Sequence, residues 1–352
     1  MYKAAIVGTG GVAELHAHAL TALGIPIAAV IGTRPDKSES FARKYGIPHW
    51  GTEWPLLEEA DCVHICTPPS THGELIRFLL GRGKHILCEK PLVLDDREAE
   101  ELAELAGSKG RICAVGFNLR FYPAVQKMRE LVSDPSFGRV LLIHGSYLQE
   151  FGAEPAEFSW RYTDPMHAMT EIGSHWLDLA QFVTGRKIIA LSALFDRFQA
   201  LRYKKNGLLY LSEEQDAQAV RVESEDSAVL SLRFSGGAIG SVVLSEVAHS
   251  RGNCLTLEIT GTKRSLWWNS EEPCTVFLAE KGKTEILRLQ GEFSQTFADE
   301  IKAFYASVGR KEQNVSPCAD FRQGSRTVLL CQLAKESADC RGQWMEVPDD
   351  GR

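Results

Sequence analysis

The chain lacks the features that would place it in a membrane or on nucleic acid. No apolar stretch approaches the roughly 18 residues that a membrane helix needs, and even Ile25 to Ile31 is interrupted by Pro26. Basic residues do not outnumber acidic ones, since 39 against 46 give a formal charge of -7. The net field of such a chain repels a phosphate backbone. The sequence therefore predicts neither a membrane span nor a nucleic-acid partner.

The chain also lacks the patterns of an exported or zinc-binding protein. Only Ala4 to Val7 separate Lys3 from a glycine run, which is too short for a signal peptide. The nine cysteines are odd in number and contain no C-x-x-C pair, so we expect reduced, mostly buried thiols in a cytoplasmic protein. Cys62, His64 and Cys66 lie close together, but no second ligand pair follows, and we expect no metal.

The chain shows no internal repeat and no low-complexity tract, and its 352 residues are long for a single core. Two domains are predicted, a dinucleotide-binding domain over residues 1–120 and a substrate-binding and oligomerisation domain over residues 121–352. In the first, apolar runs alternate with amphipathic helical stretches, which is typical of a parallel α/β sheet. The predicted strands are Lys3 to Val7, Ile27 to Ile31, a short one near Pro48 to Trp50, Cys62 to Cys66, Lys84 to Cys88 and Arg111 to Val115.

After about Asn118 the pattern changes to that of an α+β domain with a large, mostly antiparallel open sheet. Alternating segments dominate, and Gly236-Gly237 predicts a hairpin turn between two of them. The polar stretch from Arg202 to Val222 is interpreted as a mobile insertion or an elongated loop. The predicted helices of this domain run from Pro123 to about Val132, from about Thr170 to Phe182 and from about Ala319 to Ala338.

The first predicted strand is followed directly by a glycine-rich turn that opens a helix. This G-x-G-x-x-A pattern is typical of dinucleotide-binding sheets when it occurs between a strand and a helix. Gly8 permits the tight turn, Gly10 lets the backbone approach a pyrophosphate, and Ala13 allows close packing of the helix. The anion would bind the helix N-terminus. The predicted cofactor-binding residues of the turn are Gly8, Gly10, Gly11, Val12 and Ala13.

The residues at the end of the second predicted strand indicate which nicotinamide cofactor is bound. An NAD-binding sheet usually carries a carboxylate there for the ribose 2'-hydroxyl. This chain has Thr33 and Arg34 instead, and a guanidinium suits a 2'-phosphate. The nearest acid, Asp36, is assigned a structural role at the following helix. The sequence therefore predicts a preference for NADP(H), with NAD(H) also possible.

Two further segments lie at the carboxyl ends of predicted strands, where ligands bind in open α/β sheets. The first contains Thr67, Pro68 and, just inside the next helix, His72. Its prolines stiffen a loop that would pass beneath the nicotinamide. The second is Glu89-Lys90-Pro91, from which Lys90 would project towards the nicotinamide. We add Thr67, Pro68, His72 and Glu89 to the predicted cofactor-binding residues.

These segments, together with Glu171-x-x-x-His175-x-x-Asp178, resemble the glucose-fructose oxidoreductase and inositol dehydrogenase family, often called Gfo/Idh/MocA. Phe41-Ala42-x-x-Tyr45-Gly46 and the stretch from His144 to Gln149 are similar to that family as well. The resemblance covers nearly the whole chain. It implies a two-domain NAD(P)-dependent oxidoreductase that acts on a secondary alcohol of a sugar or cyclitol, with Lys90 and His175 in catalysis.

The residues at 171, 175 and 178 agree with that implication, because they share one face of a predicted helix that is otherwise largely apolar. An imidazole titrates nearest to neutral pH, so we assign the main proton transfer to His175, and Lys90 polarises the substrate oxygen and shares the proton. Glu171 is the third predicted catalytic residue. The predicted substrate contacts are Lys90, Asn118, Tyr147, Gln149, Arg161, Tyr162, Glu171, His175 and Asp178. His16 and His18 are expected to pack or to face solvent.

The chain departs from the family pattern at Glu171 and Glu150, where aspartate is usual, and this puts the identity of the substrate in doubt. Two other functions remain open. The same fold serves as a cofactor-binding, sugar-responsive regulator, although a regulator needs neither Lys90 nor His175. It also serves as an NAD-dependent glycosidase. An open sheet that includes Trp267 and Trp268 exposes apolar surface, so we expect a homodimer or homotetramer.

Overall fold

The structure is a computed structural model that describes residues 2–153, 155–158, 162, 166–198, 200–213, 215–312 and 315–349. The chain folds as two compact units, Met1–Tyr122 with Gly291–Leu329, and Pro123–Gln290 with Leu330–Arg352. The first unit thus includes a late segment, residues 291–329, in addition to the N-terminal region.

The described residues form twenty strands and eight α-helices. The strands are β1 Ala4–Val7, β2 Ile27–Ile31, β3 His49–Gly51, β4 Cys62–Ile65, β5 His85–Glu89, β6 Cys113–Gly116, β7 Val140–Leu148, β8 Ala156–Glu157, β9 Ile188–Asp196, β10 Leu201–Lys205, β11 Leu208–Tyr210, β12 Gln218–Arg221, β13 Ser227–Phe234, β14 Ile239–Ser245, β15 Cys254–Gly261, β16 Arg264–Asn269, β17 Thr275–Glu280, β18 Lys283–Arg288, β19 Ala319–Asp320 and β20 Met345–Glu346. The helices are α1 Gly11–Ala22, α2 Pro35–Tyr45, α3 His72–Gly81, α4 Asp96–Lys109, α5 Pro123–Ser133, α6 Ser174–Thr184, α7 Phe293–Arg310 and α8 Phe321–Asp339.

The first unit is built on a seven-stranded sheet in the order β19-β6-β5-β4-β1-β2-β3. All its strand pairs are parallel except β19 with β6. The strands β1, β4 and β6 are buried along their whole length, as expected for a sheet covered on both faces. The order reverses at β1, and in such sheets ligands bind at this switch point. The predicted Rossmann fold is confirmed.

Helix α7 belongs to the first unit and was not predicted. Its buried residues Phe297, Ile301, Phe304 and Val308 recur at spacings of four and three, the period of one helix face. They pack in the apolar cluster that also contains Ile6 of β1 and Ala13 of α1. The helix therefore covers the part of the sheet next to the glycine turn.

The second unit contains a nine-stranded sheet in the order β18-β17-β16-β15-β7-β14-β13-β9-β20. Only the pair of β7 and β14 is parallel, so the predicted, mostly antiparallel sheet is confirmed. Along β13 buried and exposed residues alternate, because one face packs inward and the other does not. Trp268 is buried, whereas the partly exposed Trp267 stacks on Phe277 with ring centroids 5.2 Å apart.

The interpretation of Arg202 to Val222 as a loop was wrong. Strands β10, β11 and β12 lie in this stretch and form a second sheet with β8, in the order β12-β10-β11-β8. Asn206 and Gly207 both have positive φ, 53° and 83°, and connect β10 to β11. An Asn-Gly pair adopts this conformation readily and makes a two-residue hairpin turn. The sequence therefore contained the Asn-Gly signature of a hairpin, but the polar composition of the flanking strands led to their interpretation as a loop.

Candidate active site

The glycine turn after β1 leaves open space where a pyrophosphate would lie. A Cβ at Gly8, which has φ of +116°, would lie 2.5 Å from the carbonyl oxygen of Cys66, so this position accepts only glycine. By contrast, a Cβ at Gly10 or Gly11 would meet no protein atom within 4 Å. Gly10 is also the N-cap of α1 and supplies no side chain to the N–H groups of the first turn. These residues fit the diphosphate of a dinucleotide.

The remaining residues of the turn anchor α1. Ala13 is fully buried in the apolar cluster between the sheet and α7, while Val12 is half-buried. Ala13 therefore acts through packing rather than through ligand contact. Small size at this position is what close helix-on-sheet packing requires.

Replacing Gly10 by valine is expected to block dinucleotide binding while leaving the fold intact. The new side chain meets no protein atom near its Cβ, but it occupies the space of the ligand. Losing one charge-assisted hydrogen bond costs roughly 1.5–3 kcal/mol, so we expect the Kd for NADH or NADPH to rise at least about tenfold. Titration of each dinucleotide against protein fluorescence measures this. Gly8→Val is the contrasting variant, because its clash with Cys66 should lower the unfolding temperature. Unchanged dinucleotide affinity of Gly10→Val would contradict the assignment of the turn.

Thr33 and Arg34 follow β2 and are both exposed. The guanidinium of Arg34 makes two bonds to the carboxylate of Asp36, of 3.1 and 2.6 Å. Arg34 is the N-cap of α2, and its side chain lies 62% exposed. The side chain of Arg34, which is predicted to select the cofactor, is therefore accessible to a ligand, but it is already paired with the carboxylate of Asp36.

His72 connects the loop after β4 to the loop after β5. Its ring is fully buried, with Nε2 2.8 Å from the carbonyl oxygen of Thr67 and Nδ1 3.0 Å from that of Leu92. Burial lowers the pKa of His72 below its ordinary value, although the neighbouring carbonyls oppose the shift. A buried ring used in this way positions Thr67 and Pro68, both half-buried, rather than touching a ligand itself.

Glu89 and Lys90 lie at the carboxyl edge of the parallel sheet, where β5 ends. Lys90 is half-buried, and its backbone N–H donates to Oε2 of Glu89 over 3.4 Å. The other carboxylate oxygen of Glu89 lies 2.9 Å from Nε2 of His16. Asn118 follows β6 at the same edge, but it is 5% exposed and donates to the hydroxyl of Thr296. Asn118 therefore ties this edge to α7.

In the second unit, Glu171 and His175 are the partly exposed residues of an otherwise buried segment, while Asp178 is 3% exposed. The α-helix begins about one turn later than predicted, at Ser174, because Met169–Gly173 form a π-helical turn before α6. Such turns occur often at functional sites. The ring of His175 lies 6.4 Å from the ring of Tyr147 on β7, measured between centroids.

Two of the predicted substrate contacts share a partner that sequence reasoning missed. The hydroxyl of Tyr147 and the amide of Gln149 both donate to the side-chain oxygen of Asn253, over 2.7 and 2.6 Å. Both side chains are buried, and these bonds fix their direction. No pattern in the sequence marked Asn253, because it precedes a strand far along the chain.

Another predicted contact, Tyr162, is not part of this group. Tyr162 is 5% exposed and packs with Ala156, Leu209 and Val222 in the core of the small four-stranded sheet. That environment gives it a structural role. Arg161 lies outside the described residues.

Glu225 supports the segment that carries Glu171 and His175, and sequence reasoning also missed it. Its carboxylate accepts the backbone N–H of His167 over 3.1 Å and that of Met169 over 2.7 Å. Burial raises the pKa of Glu225 to about 7, although these backbone donors oppose the shift. Among the described residues, no cluster of three His, Cys, Asp or Glu side chains could hold a metal ion.

A parallel sheet of this order with a glycine turn after its first strand defines a dinucleotide-binding protein. Residues 2–117 match the oxidoreductase family with an NAD-binding Rossmann fold, and residues 125–267 match the GFO/IDH/MocA C-terminal domain. The chain therefore belongs to the Gfo/Idh/MocA family of oxidoreductases. The resemblance seen in the sequence is confirmed.

Comparison with individual proteins agrees with the family. The chain is 29% identical to levoglucosan dehydrogenase of Pseudarthrobacter phenanthrenivorans, over 97% of each protein. It is 27% identical to scyllo-inositol 2-dehydrogenase (NAD(+)) of Bacillus subtilis, over 87% of this chain and 86% of that protein. A solved structure of levoglucosan dehydrogenase in complex with NADH and levoglucosan matches with a TM-score of 0.89 at 25% identity, over 99% of each chain. In the part of this chain that the structure describes, no helix has both the length and the hydropathy to cross a bilayer.

Proposed function

We propose that this protein is an NAD(P)(H)-dependent dehydrogenase of a secondary alcohol in a sugar, sugar derivative or cyclitol. The observation that carries the proposal is the carboxyl edge of the parallel sheet in the first unit. The open glycine turn follows β1 at this edge, and Lys90 follows β5, which is separated from β1 by β4 alone. The nicotinamide, when bound, accepts a hydride from a carbinol carbon or returns it.

The residues of the chain then handle the hydroxyl group. Our proposal assigns the main transfer of the hydroxyl proton to His175, whereas Lys90 polarises the substrate oxygen and shares the proton. The carboxylate of Glu171, four residues before His175 in the chain, would favour the protonated form of that histidine. Tyr147 and Gln149, whose side chains both donate to Asn253, remain proposed contacts of the substrate hydroxyls.

The class of substrate is inferred from two relatives that are named for cyclic polyols, levoglucosan and scyllo-inositol. A panel of sugars, anhydrosugars and cyclitols, each offered with NAD and with NADP, tests the proposal through the absorbance of the reduced nicotinamide. We expect stoichiometric cofactor reduction with at least one cyclic polyol. Dinucleotide binding without turnover on any panel member would favour a regulator, and hydrolysis of a glycoside without net reduction would favour a glycosidase.

The preference for NADP(H) is proposed on the exposed guanidinium of Arg34. Replacing Arg34 by alanine is expected to lower the ratio of kcat/KM for NADP to that for NAD by about tenfold, the value of one charged hydrogen bond. Asp36→Asn is the matched variant, because it releases Arg34 from its present partner. It should raise the same ratio. An Arg34→Ala enzyme with an unchanged ratio would show that the guanidinium does not select the cofactor.

We also propose that a second copy of the chain covers the exposed face of the nine-stranded sheet. Leu194, Val229 and Val243 are neighbours across three adjacent strands, and each is about half exposed. Such a row would be buried if two sheets packed face to face. We expect a dimer or tetramer by light scattering, and a monomeric mass at micromolar concentration would contradict this.

A further inference from the structure

The loop between β14 and β15, residues 246–253, crosses the end of β7 in the second unit. Strand β7 lies between these two strands in the sheet, parallel to β14 and antiparallel to β15. At the end of β7, Leu148 pairs with Cys254, so the register continued by one residue sets Asn253 opposite Gln149. The loop therefore brings Asn253 to the point where β7 ends.

Hydrogen bonds fix the course of this loop over β7. The N–H of Ala248 donates to the carbonyl of Gln149 over 2.8 Å. At Ser250, which has a positive φ of 63°, the N–H donates to Oε2 of Glu150 over 2.7 Å. Two residues that directly follow β7 thus anchor the loop that carries Asn253.

Asn253 uses one side-chain oxygen to hold two side chains at the end of β7. The hydroxyl of Tyr147 and the amide of Gln149 donate to this oxygen over 2.7 and 2.6 Å. Tyr147 and Gln149 lie two residues apart at the end of a strand, where side chains alternate between the two faces, so they share one face. Helix α6 lies on this face, since the ring of its residue His175 lies 6.4 Å from that of Tyr147 between centroids.

These polar side chains lie beside apolar ones. Tyr147 is 3% exposed and Gln149 is 8% exposed, and the residues paired with Tyr147 on the two adjacent strands are the fully buried Leu244 and Leu255. Burying a polar group costs free energy unless it is hydrogen-bonded, and a leucine carries no such cost. Packing alone therefore gives no reason for this polar group, whereas recognition of a polyol needs a few polar side chains held in fixed positions.

The bond to Asn253 determines what the hydroxyl of Tyr147 can recognise. A phenol has one hydrogen to donate, and Tyr147 gives it to Asn253. Any further partner of the Tyr147 oxygen must therefore be a donor. The O–H group of a polyol meets this requirement, whereas the oxygen of an ether or a ketone has no hydrogen to give.

We propose that Asn253 is a positioning residue that sets the selectivity for the substrate, because it orients Tyr147 to accept a hydrogen bond from a polyol hydroxyl and holds Gln149 on the same acceptor atom. The inference rests on the proposed dehydrogenase function, in which Tyr147 and Gln149 are proposed contacts of the substrate. Asn253 acts through these two partners rather than through contact with the reacting atoms.

Replacing Asn253 by alanine removes the shared acceptor. We expect the KM for the panel polyol with the highest kcat/KM to rise about tenfold, the value of one hydrogen bond, while kcat changes little. The Kd of that polyol, measured through the fluorescence of bound NADPH or NADH, should rise by a similar factor. The Kd of the dinucleotide itself should stay unchanged, because the glycine turn belongs to the other unit.

Asn253→Asp is the conservative variant, since a carboxylate accepts from both partners and cannot donate. It should keep a KM close to that of the wild type. Deoxy derivatives of the same polyol provide a second readout. At least one of them should show a raised KM with the wild type and with Asn253→Asp, because it lacks the hydroxyl that donates to Tyr147, and this discrimination should shrink in Asn253→Ala.

Asn269→Ala is the matched control. Asn269 is also a half-buried asparagine, and its side-chain oxygen accepts the N–H of Glu271 and the thiol of Cys254. Both alanine variants lose an amide acceptor and should lower the unfolding temperature, but Asn269→Ala should leave KM and the discrimination against the deoxy derivative unchanged. The inference is overturned if Asn253→Ala behaves like Asn269→Ala in these two readouts, or if Asn253→Asp behaves like Asn253→Ala.

Failure of the proposed function has a different signature. A wild-type protein that binds a panel polyol but reduces no cofactor would refute the dehydrogenase, and the Kd of that polyol for the same variants would still decide the role of Asn253. Turnover that is equal in the wild type and Asn253→Ala would refute the role of Asn253 alone. A protein that binds no member of the panel would overturn both.

Discussion

Replacing Lys90 by methionine is expected to lower kcat by about 10²–10⁴-fold, the usual cost of losing a positioned group in proton transfer. Methionine keeps the unbranched, apolar stem and removes the ammonium, so the half-buried position after β5 remains filled. The glycine turn is untouched, and the affinity for the dinucleotide should stay close to that of the wild type. Steady-state kinetics on the best polyol of the panel, together with dinucleotide titration, measure both quantities.

Lys109→Met is the control for Lys90→Met, because it makes the same substitution at an exposed lysine, at the end of α4, that is not a predicted site residue. It should leave kcat unchanged. His175→Ala removes the proposed main base and should lower kcat to a similar extent, also with dinucleotide affinity retained. A Lys90→Met enzyme that keeps most of its kcat would remove Lys90 from the mechanism, and the same result for His175→Ala would remove the histidine.

Elements whose pattern is local could be predicted from the sequence. The parallel strands of the first unit are continuous apolar runs, and Gly236-Gly237 marks a hairpin between β13 and β14 that the structure contains. The strands β10 and β11 escaped prediction because Lys204, Lys205 and Asn206 make the stretch polar. Their stability comes from burial of Leu209 and from the Asn-Gly turn rather than from an alternating pattern.

The placement of α7 could not be predicted in the same way. Its apolar face shows the helical period, but nothing in residues 293–310 says which sheet that face covers. The answer depends on Phe297 and Ile301 fitting the cluster around Ile6, which is a property of the folded unit. The same is true of the buried ring of His64, because it contacts His16, 48 residues away, and Tyr305, 241 residues away.

The sequence located the residues of the candidate site along the sheet edge better than it showed what each side chain contacts. The glycine turn, Glu89 and Lys90 were placed correctly at one sheet edge, since the carboxyl ends of parallel strands always meet there. His72 was expected to touch the cofactor, yet its two ring nitrogens lie close to the backbone carbonyls of Leu92 and Thr67, in two different loops. Whether a polar side chain binds a ligand or supports a neighbour depends on burial, which the sequence does not display.

Replacing Glu225 by alanine is expected to destabilise the second unit by about 3 kcal/mol, because two buried N–H groups lose their acceptor and each costs roughly 1–3 kcal/mol. These groups belong to His167 and Met169, at the start of the segment that carries Glu171 and His175. We therefore expect a lower unfolding temperature and a reduced kcat. Thermal unfolding and steady-state kinetics of the same preparation measure the two effects.

Glu225→Gln separates the hydrogen bonds of this carboxylate from its charge. The amide oxygen can still accept a backbone N–H, so the loss of stability should be smaller than for alanine. Burial raises the pKa of Glu225 in the folded protein to about 7, from about 4.5, so the folded state binds a proton more tightly than the unfolded chain. The stability that this proton contributes is fully present below about pH 4.5 and is lost as the pH rises through 7. Glutamine never ionises, so the Glu225→Gln protein lacks this dependence. The free energy of unfolding of the wild type, relative to that of Glu225→Gln, should therefore fall as the pH rises from about 5 to about 8. Equal pH dependence of the two proteins would show that Glu225 is ionised throughout, and its carboxylate would then act only as an acceptor for the start of the catalytic segment.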